Sequence, residues 1–118
     1  MTENITKEIK TIVDALEDKK GTDIAVLDLS KVSDITDCFV ICSGTNRSQI
    51  QALADGVEEA LGKKGILHKG IEGYDTANWI LLDYGDFVVH IFDKENRTLY
   101  DLERIWRDGK TVDIEELK

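Results

Sequence analysis

One tract of the sequence, residues 72–92, gathers most of the side chains that could do chemistry. It contains Trp79 and His90 together with several acidic residues, among them Asp83 and Asp86. Two aspartates could bind a divalent metal, but these two lie three apart across a turn and do not share a strand face. A turn-forming Asp86 and a solvated or partner-binding Asp83 are the simpler interpretation. His90 is more typical of a partly buried histidine than of a catalyst.

The same tract predicts a β-hairpin. Gly85-Asp86 suits a two-residue turn of type II′, which favours glycine at its first central position. This register pairs Tyr84 with Phe87 and continues with apolar pairs, so one face of the hairpin is fully apolar. The other face holds Trp79, Leu81, Asp83, Val88, His90 and Phe92. Because aromatic, acidic and histidine side chains are unusual in a plain core layer, we expect this second face to meet a partner.

A second candidate site is the strand-to-helix turn Ser43-Gly44-Thr45-Asn46-Arg47-Ser48, whose free amides could favour a phosphate. The same residue types also form ordinary helix caps, so both interpretations stay open. A hydrolase that uses Ser43 with His90 is disfavoured, because the Gly-x-Ser-x-Gly pattern is missing.

The whole-chain composition narrows the class of protein. A chain of 118 residues, 42% hydrophobic and 33% charged, indicates one globular domain rather than a disordered segment. Its net charge of −9 argues against binding to nucleic-acid backbones and suits docking on a basic protein. No apolar run is long enough to span a bilayer and no secretion signal is evident, so we expect a cytoplasmic protein. Cys38 and Cys42 are predicted as buried, reduced thiols rather than as metal ligands or a disulfide.

Helices and strands alternate along the predicted chain. Apolar residues spaced three and four apart predict one helix that carries Ile5 to Leu16 and another that carries Ile50 to Leu61. Besides the hairpin, short strands are expected at Ile24–Leu27, Phe39–Cys42 and Ile66–His68. This order predicts an α/β fold with a mixed β-sheet of about five strands covered by helices.

The end of the chain is predicted as a helix followed by a tail. Asp93 is expected to cap a last helix that carries Leu99, Leu102, Ile105 and Trp106. Residues 110–118 are expected to form a mobile acidic tail. No linker or repeat divides the chain, so residues 1–118 are predicted to form a single domain.

Three blocks stand in unbroken order within about residues 4–108: SDITDCFVICSGT at 33–45, EGY with WILLDYGD and VVHIF between 72 and 92, and YDLERIW at 100–106. Together they resemble the signatures of the ribosomal silencing factor (iojap) family. The resemblance implies a translation repressor that binds the large ribosomal subunit through its fourteenth protein and sterically blocks joining of the small subunit, chiefly under nutrient limitation. It also implies a possible homodimer and a role linked to ribosome biogenesis.

The resemblance assigns the partner contact to the hairpin. The residues concerned are Trp79, Leu82, Asp83, Tyr84 and Asp86, with Glu72 and Tyr74 as neighbours. An acidic rim around an aromatic side chain suits a basic ribosomal protein.

Members of this family also resemble nucleotidyltransferases in fold. Those enzymes pair a Gly-Ser turn with two metal-binding carboxylates on the next strand, whereas this sequence has Ile66-Leu67-His68-Lys69 there. Two-metal chemistry would therefore have no ligands, so we expect no enzyme activity, catalytic residue, metal or cofactor. The alternative function is a nucleotide- or phosphate-binding enzyme or sensor that uses the Gly44–Ser48 turn.

Overall fold

The computed structural model describes residues 1–117. Within them, α-helices run over Glu3–Asp18 (α1), Arg47–Gly62 (α2), Lys94–Tyr100 (α3) and Leu102–Ile105 (α4). Strands run over Thr22–Asp28 (β1), Cys38–Gly44 (β2), Gly70–Glu72 (β3), Trp79–Asp83 (β4), Phe87–Asp93 (β5) and Lys110–Val112 (β6). A 3-10 helix follows at Ile114–Leu117.

The strands form one mixed sheet in the order β3-β4-β5-β2-β1-β6. β2 and β5 pair in parallel, and the other neighbours pair antiparallel. The prediction of a mixed sheet covered by helices is confirmed. The nucleotidyltransferase likeness does not follow from this arrangement and stays a prediction.

The sheet has six strands in the described chain, whereas about five were predicted. The additional strand is β6, which the sequence analysis missed. Residues 110–112 pair with β1, with Val112 opposite Val26. The side chains of Val112, Ile114 and Leu117 then pack against the main core. The segment predicted as a mobile acidic tail therefore has regular structure over residues 110–117. Lys118, the last residue of that prediction, lies outside the described residues.

Helices α1 and α2 cover one face of the sheet, called here the first face. Each helix begins at a side-chain cap, because Thr2 accepts a hydrogen bond from the Ile5 amide and Asn46 from the Gln49 amide. The buried residues of these helices are Ile5, Ile9, Ile12, Val13, Leu16, Ile50, Leu53, Ala54, Gly56, Val57 and Leu61. They share one core with Ile80, Leu82 and Ile91 of the hairpin. The two helices predicted to carry Ile5 to Leu16 and Ile50 to Leu61 are confirmed, with apolar residues on their buried sides.

The opposite face, called here the second face, carries a smaller core. Its buried members are Leu27, Leu29, Phe39, Ile41 and Phe92. Leu102 and Trp106, from the end of the chain, pack against this core and are only partly buried. The second face is therefore covered less completely than the first.

The predicted single last helix is wrong. Asp93 does cap α3, accepting from the Asn96 amide at 2.8 Å, but the helix ends at Asp101, whose φ of +44° is left-handed. The chain then starts the short α4. As a result Leu99 and Ile105 are 71% and 62% exposed instead of lying on an inner face.

Two further predictions are settled by the structure. Residues 66–68 form no strand, and the edge strand β3 begins at Gly70 and pairs with β4. Cys38 and Cys42 are buried and free, as expected, and burial raises the pKa of each thiol to about 12.

Among residues 1–117, no helix combines the length and the apolar character needed to cross a membrane.

Candidate partner-binding site

The hairpin has the predicted register. Ile80 lies opposite Ile91 and Leu82 opposite Val89, and the Tyr84 amide donates to the Phe87 carbonyl at 3.0 Å. Gly85 has a φ of +86°, a conformation that disfavours any side chain. The Asp83 carboxylate accepts from the Gly85 amide at 2.8 Å, so this aspartate supports the turn.

The structure divides the predicted contact residues between the two faces of the sheet. Trp79 and Asp83 lie half-buried on the second face, and Asp86 is exposed at the turn. Glu72 is exposed on β3, whose register places it opposite Leu81. These four residues can present side chains to a partner.

Leu82 and Tyr84 are placed differently. Both belong to the main core on the first face, with Leu82 fully buried and Tyr84 stacked on Phe87 at a ring distance of 5.2 Å. Burial raises the pKa of Tyr84 to about 12, with a smaller contribution from Glu58. Their assignment to the partner contact stays a prediction, but in this structure both side chains alternate with the exposed positions and pack in the core beneath the hairpin.

Tyr74 lies beside the hairpin rather than on it. Its hydroxyl donates to the Asp55 carboxylate on α2 at 2.9 Å, and Gln51 donates to the Tyr74 carbonyl at 2.9 Å. The hydrogen bond to Asp55 raises the pKa of Tyr74. This loop is therefore joined to α2.

Gly73, in the EGY motif, lets the loop before β4 pass close to Trp79. Its φ is +79°, and a Cβ at this position would overlap the Trp79 carbonyl oxygen. Only glycine permits this close approach of the loop to the start of β4.

Trp79 and His90 form a hydrogen-bonded pair on the second face. The indole N–H of Trp79 donates to Nδ1 of His90 at 3.1 Å. Nδ1 must then carry the lone pair, so the proton of the neutral ring is on Nε2. His90 is 3% exposed, and this burial lowers its pKa to about 4. The ring is therefore neutral at pH 7, which agrees with the expectation of a buried histidine.

Aromatic rings hold Trp79 in position. It stacks on Phe92 at 5.0 Å between ring centroids and contacts Tyr100 of α3 at 4.6 Å. Because two rings and a hydrogen bond fix its orientation, the exposed part of Trp79 loses little further freedom when a partner binds.

Next to this pair, the second face contains an apolar groove of about 370 Å³. We call it the second-face groove; its main lining residues are Ile35, Phe39, Leu81, Val88, His90 and Trp106. Asp83 and Thr36 also line it. The sequence analysis placed Leu81, Val88 and His90 on this face but missed Ile35, Phe39 and Trp106 as parts of the site.

The loop between β1 and β2 forms the side of the groove that the sequence analysis did not predict. The Asp37 amide donates to the Asp86 carbonyl at 2.9 Å, which ties this loop to the hairpin turn. The Ser33 hydroxyl accepts from the Ile35 amide at 3.2 Å and shapes the loop tip. Ile35 is 91% exposed there. An isoleucine between Asp34 and Thr36 in a polar segment was the one sequence signal for this role.

The alternative site at the Gly44–Ser48 turn is closed by its own side chains. The Thr45 amide donates to Gln49 Oε1 at 2.6 Å, and the Gln49 amide donates to Asn46. A Cβ on Gly44 would lie 2.7 Å from Ile50, so the turn is also tightly packed. Ser43 is buried and accepts from Arg97 at 2.9 Å. This geometry is that of a capped helix start.

Among residues 1–117, no group of three or more histidine, cysteine or acidic residues could hold a metal ion.

Comparison with known proteins gives consistent matches over nearly the whole chain. The family described as "Ribosomal silencing factor during starvation" matches residues 2–118. A ribosomal silencing factor RsfS from Halalkalibacterium halodurans is 40% identical over 107 residues, which cover 91% of this chain and 92% of that protein.

A solved structure and a less similar relative also match most of this chain. A crystal structure of a Chromobacterium violaceum protein superimposes with a TM-score of 0.84 at 34% identity, covering 96% of this chain and 92% of that one. The mouse protein named "Mitochondrial assembly of ribosomal large subunit protein 1" is 30% identical over 102 residues, which cover 84% of this chain and 45% of that protein.

Proposed function

This chain belongs to the ribosomal silencing factor family, and from that membership we propose that it represses translation by binding the large ribosomal subunit. The contact is made with the fourteenth protein of that subunit. The bound protein then blocks joining of the small subunit sterically, chiefly under nutrient limitation. The chain acts in the cytoplasm. We propose that it can also form a homodimer there.

One observation supports this proposal above the others: a fixed aromatic side chain shares the less covered face of the sheet with the acidic end of its hairpin. Trp79 is held by His90 and Phe92, and Asp83 and Asp86 lie at the far end of the same hairpin. Tryptophan is a frequent energetic centre of protein interfaces. The acidic residues, in a chain of net charge −9, attract a basic ribosomal protein and speed its encounter.

The proposed mechanism requires occupancy and no turnover. A protein that covers a surface needed by the small subunit prevents joining for as long as it stays bound. This accords with the capped turn at Gly44–Ser48, where Gln49 and Asn46 take up amides that a phosphate would need. We therefore propose that the chain is not an enzyme and uses no cofactor.

Co-sedimentation with isolated ribosomal subunits tests the proposal. The purified protein should pellet with large subunits and not with small ones, and it should lower the yield of joined ribosomes. Because acidic residues contribute to the contact, binding should weaken as salt rises. Absence of binding to large subunits at low salt would refute the proposal.

Variants locate the contact within the hairpin. Trp79→Ala should weaken binding by about 30-fold, the loss typical of an interface centre. Asp86→Lys should weaken it by about tenfold at low salt and by less at high salt, because it reverses an exposed charge. Thermal unfolding of each variant shows whether it is folded.

A matched charge reversal elsewhere is the control. Asp18→Lys changes an exposed acid at the end of α1, where a cation is favourable for the helix. It alters the net charge by the same amount as Asp86→Lys but lies outside the hairpin. Equal losses for Asp18→Lys and Asp86→Lys would mean that only the overall charge matters and that the assigned site is wrong.

A further inference from the structure

The second-face groove contains buried polar atoms that nothing in the described chain uses. Nε2 of His90 and the hydroxyl of Thr36 are both buried without a hydrogen-bond partner among the described residues, and both residues line the groove. Since Nδ1 of His90 accepts from Trp79, the unused Nε2 carries a proton and is a donor. A buried donor without an acceptor is costly, and few occur in folded proteins without a reason.

The apolar surface around the groove extends beyond it. Ile35, which lines the groove, is 91% exposed, and Ile105, which precedes Trp106 in the chain, is 62% exposed. Tyr100 is also partly exposed, beside Trp79. An open apolar groove with an exposed isoleucine at its edge is typical of a protein interface rather than of a closed small-molecule pocket.

The charges near the groove indicate the kind of partner. Asp83 lines it, Asp34 and Asp37 lie on the loop that carries Ile35, and Asp86 is joined to that loop through the Asp37 amide. Lys69 lines the groove as well and balances Asp83, so the acidic excess comes from Asp34, Asp37 and Asp86 nearby, against Lys31 on the same loop. This excess favours a basic protein partner and disfavours an anionic ligand.

We infer that the second-face groove receives one large apolar side chain of a basic protein partner, which lies against the wall formed by the buried His90 ring. The inference rests on the proposed function, because the basic partner is taken to be the fourteenth protein of the large subunit. It adds the loop of Ile35 and the residues Phe39, Val88, His90 and Trp106 to a contact otherwise assigned to the hairpin.

Two substitutions test the groove. Ile35→Ala removes an exposed apolar contact, and Val88→Phe fills the groove from its floor. Each should weaken binding to the isolated fourteenth protein by about tenfold, since burying one apolar side chain typically contributes that much. Leu67→Ala is the matched control, because Leu67 is 79% exposed but does not line the groove; its effect should stay within about twofold.

The histidine provides a readout that a purely structural role would not change. Long-range proton–nitrogen spectra of the wild-type protein should show the Nε2–H tautomer of His90 both free and bound. Saturation with the isolated fourteenth protein should shift the Nε2–H proton resonance, because a side chain bound in the groove changes the surroundings of the ring. An unchanged resonance in the saturated complex would refute occupation of the groove.

The outcomes separate this inference from the proposed function. If wild type binds, Trp79→Ala fails to bind, and both Ile35→Ala and Val88→Phe bind normally, the function stands and the groove inference is wrong. If these two variants instead lose only self-association of the protein alone, the groove is a contact between copies of this chain, and the inference is also wrong. If wild type does not bind large subunits at all, the proposed function fails first.

Discussion

The two faces of the sheet use the same strands but differ in how completely they are covered. On the first face, α1 and α2 enclose a core in which Ile80, Leu82 and Ile91 are fully buried. On the second face, the small core leaves Trp79 only half-buried, an open groove beside it and a histidine donor that has no acceptor within residues 1–117. The difference indicates that the first face supplies most of the stability, whereas the second face is free to make the proposed partner contact.

Adjacent leucines in β4 give the most direct way to break this comparison. Leu82 is fully buried on the first face, and Leu81 is half-buried in the second-face groove. Leu82→Ala should lower the free energy of unfolding by about 3 kcal/mol, because it creates a cavity in the main core. Leu81→Ala should lower it by about 1 kcal/mol and should also weaken binding to large subunits.

Urea unfolding and co-sedimentation of the two variants provide the measurements. Leu81 and Leu82 are adjacent leucines in the same strand. The two variants therefore remove the same atoms and differ mainly in which face of the sheet loses them. Equal losses of stability would show that the second face is as important to folding as the first.

The pH dependence of stability provides a test of the second face through His90. The pKa of His90 is about 4 in the folded protein, below the ordinary value of 6.5, because the ring is buried. Between these values the unfolded chain binds a proton that the folded chain does not. Stability is therefore lost as the pH falls from 6.5 towards 4, by up to an amount on the order of 3 kcal/mol.

Carboxylates also titrate in this range, so the test uses a difference between variants. His90→Asn retains an acceptor for the Trp79 indole but cannot be protonated. Its stability relative to wild type should improve between pH 7 and pH 4.5 in urea unfolding. His68→Asn removes the other, less buried histidine and is the control. If both variants showed the same change, His90 would not be the group responsible.

Local signals in the sequence were enough for the first face. The spacing of Ile9, Leu16 and Leu53 predicted the buried stripes, and Gly85 predicted the hairpin register because a two-residue turn leaves few alternatives. The alternation within the hairpin then assigned Trp79 and His90 to one face and Leu82 to the other.

The second face depended on contacts that are distant in sequence. The Asp37–Asp86 backbone hydrogen bond, which brings Ile35 to the groove, joins residues 49 positions apart, and no local pattern encodes it. The left-handed Asp101 broke the last helix at a residue other than glycine, the usual signal. β6 was missed because three residues after Gly109 are too few to show alternation. Tyr84 was assigned to the partner contact from the family resemblance, although the hairpin register had already placed it on the apolar face.

The smallest expected effect concerns Tyr84. Its hydroxyl is buried and has no hydrogen-bond partner among the described residues, whereas the Tyr74 hydroxyl donates to Asp55 at the surface. Tyr84→Phe removes only the unused hydroxyl, so it should raise the free energy of unfolding by about 1 kcal/mol. Tyr74→Phe removes a hydrogen bond that is made and should give no gain. Urea unfolding of both variants measures the difference.

Binding to large subunits gives the same pair of variants a second use. If Tyr84 supports the hairpin only by packing, Tyr84→Phe should bind as wild type does, because the ring that stacks on Phe87 is retained. A loss of binding with a gain in stability would mean that the partner reaches this hydroxyl and that the first face takes part in recognition. The contrast between a stabilising face and a recognising face would then have to be abandoned at this edge of the sheet.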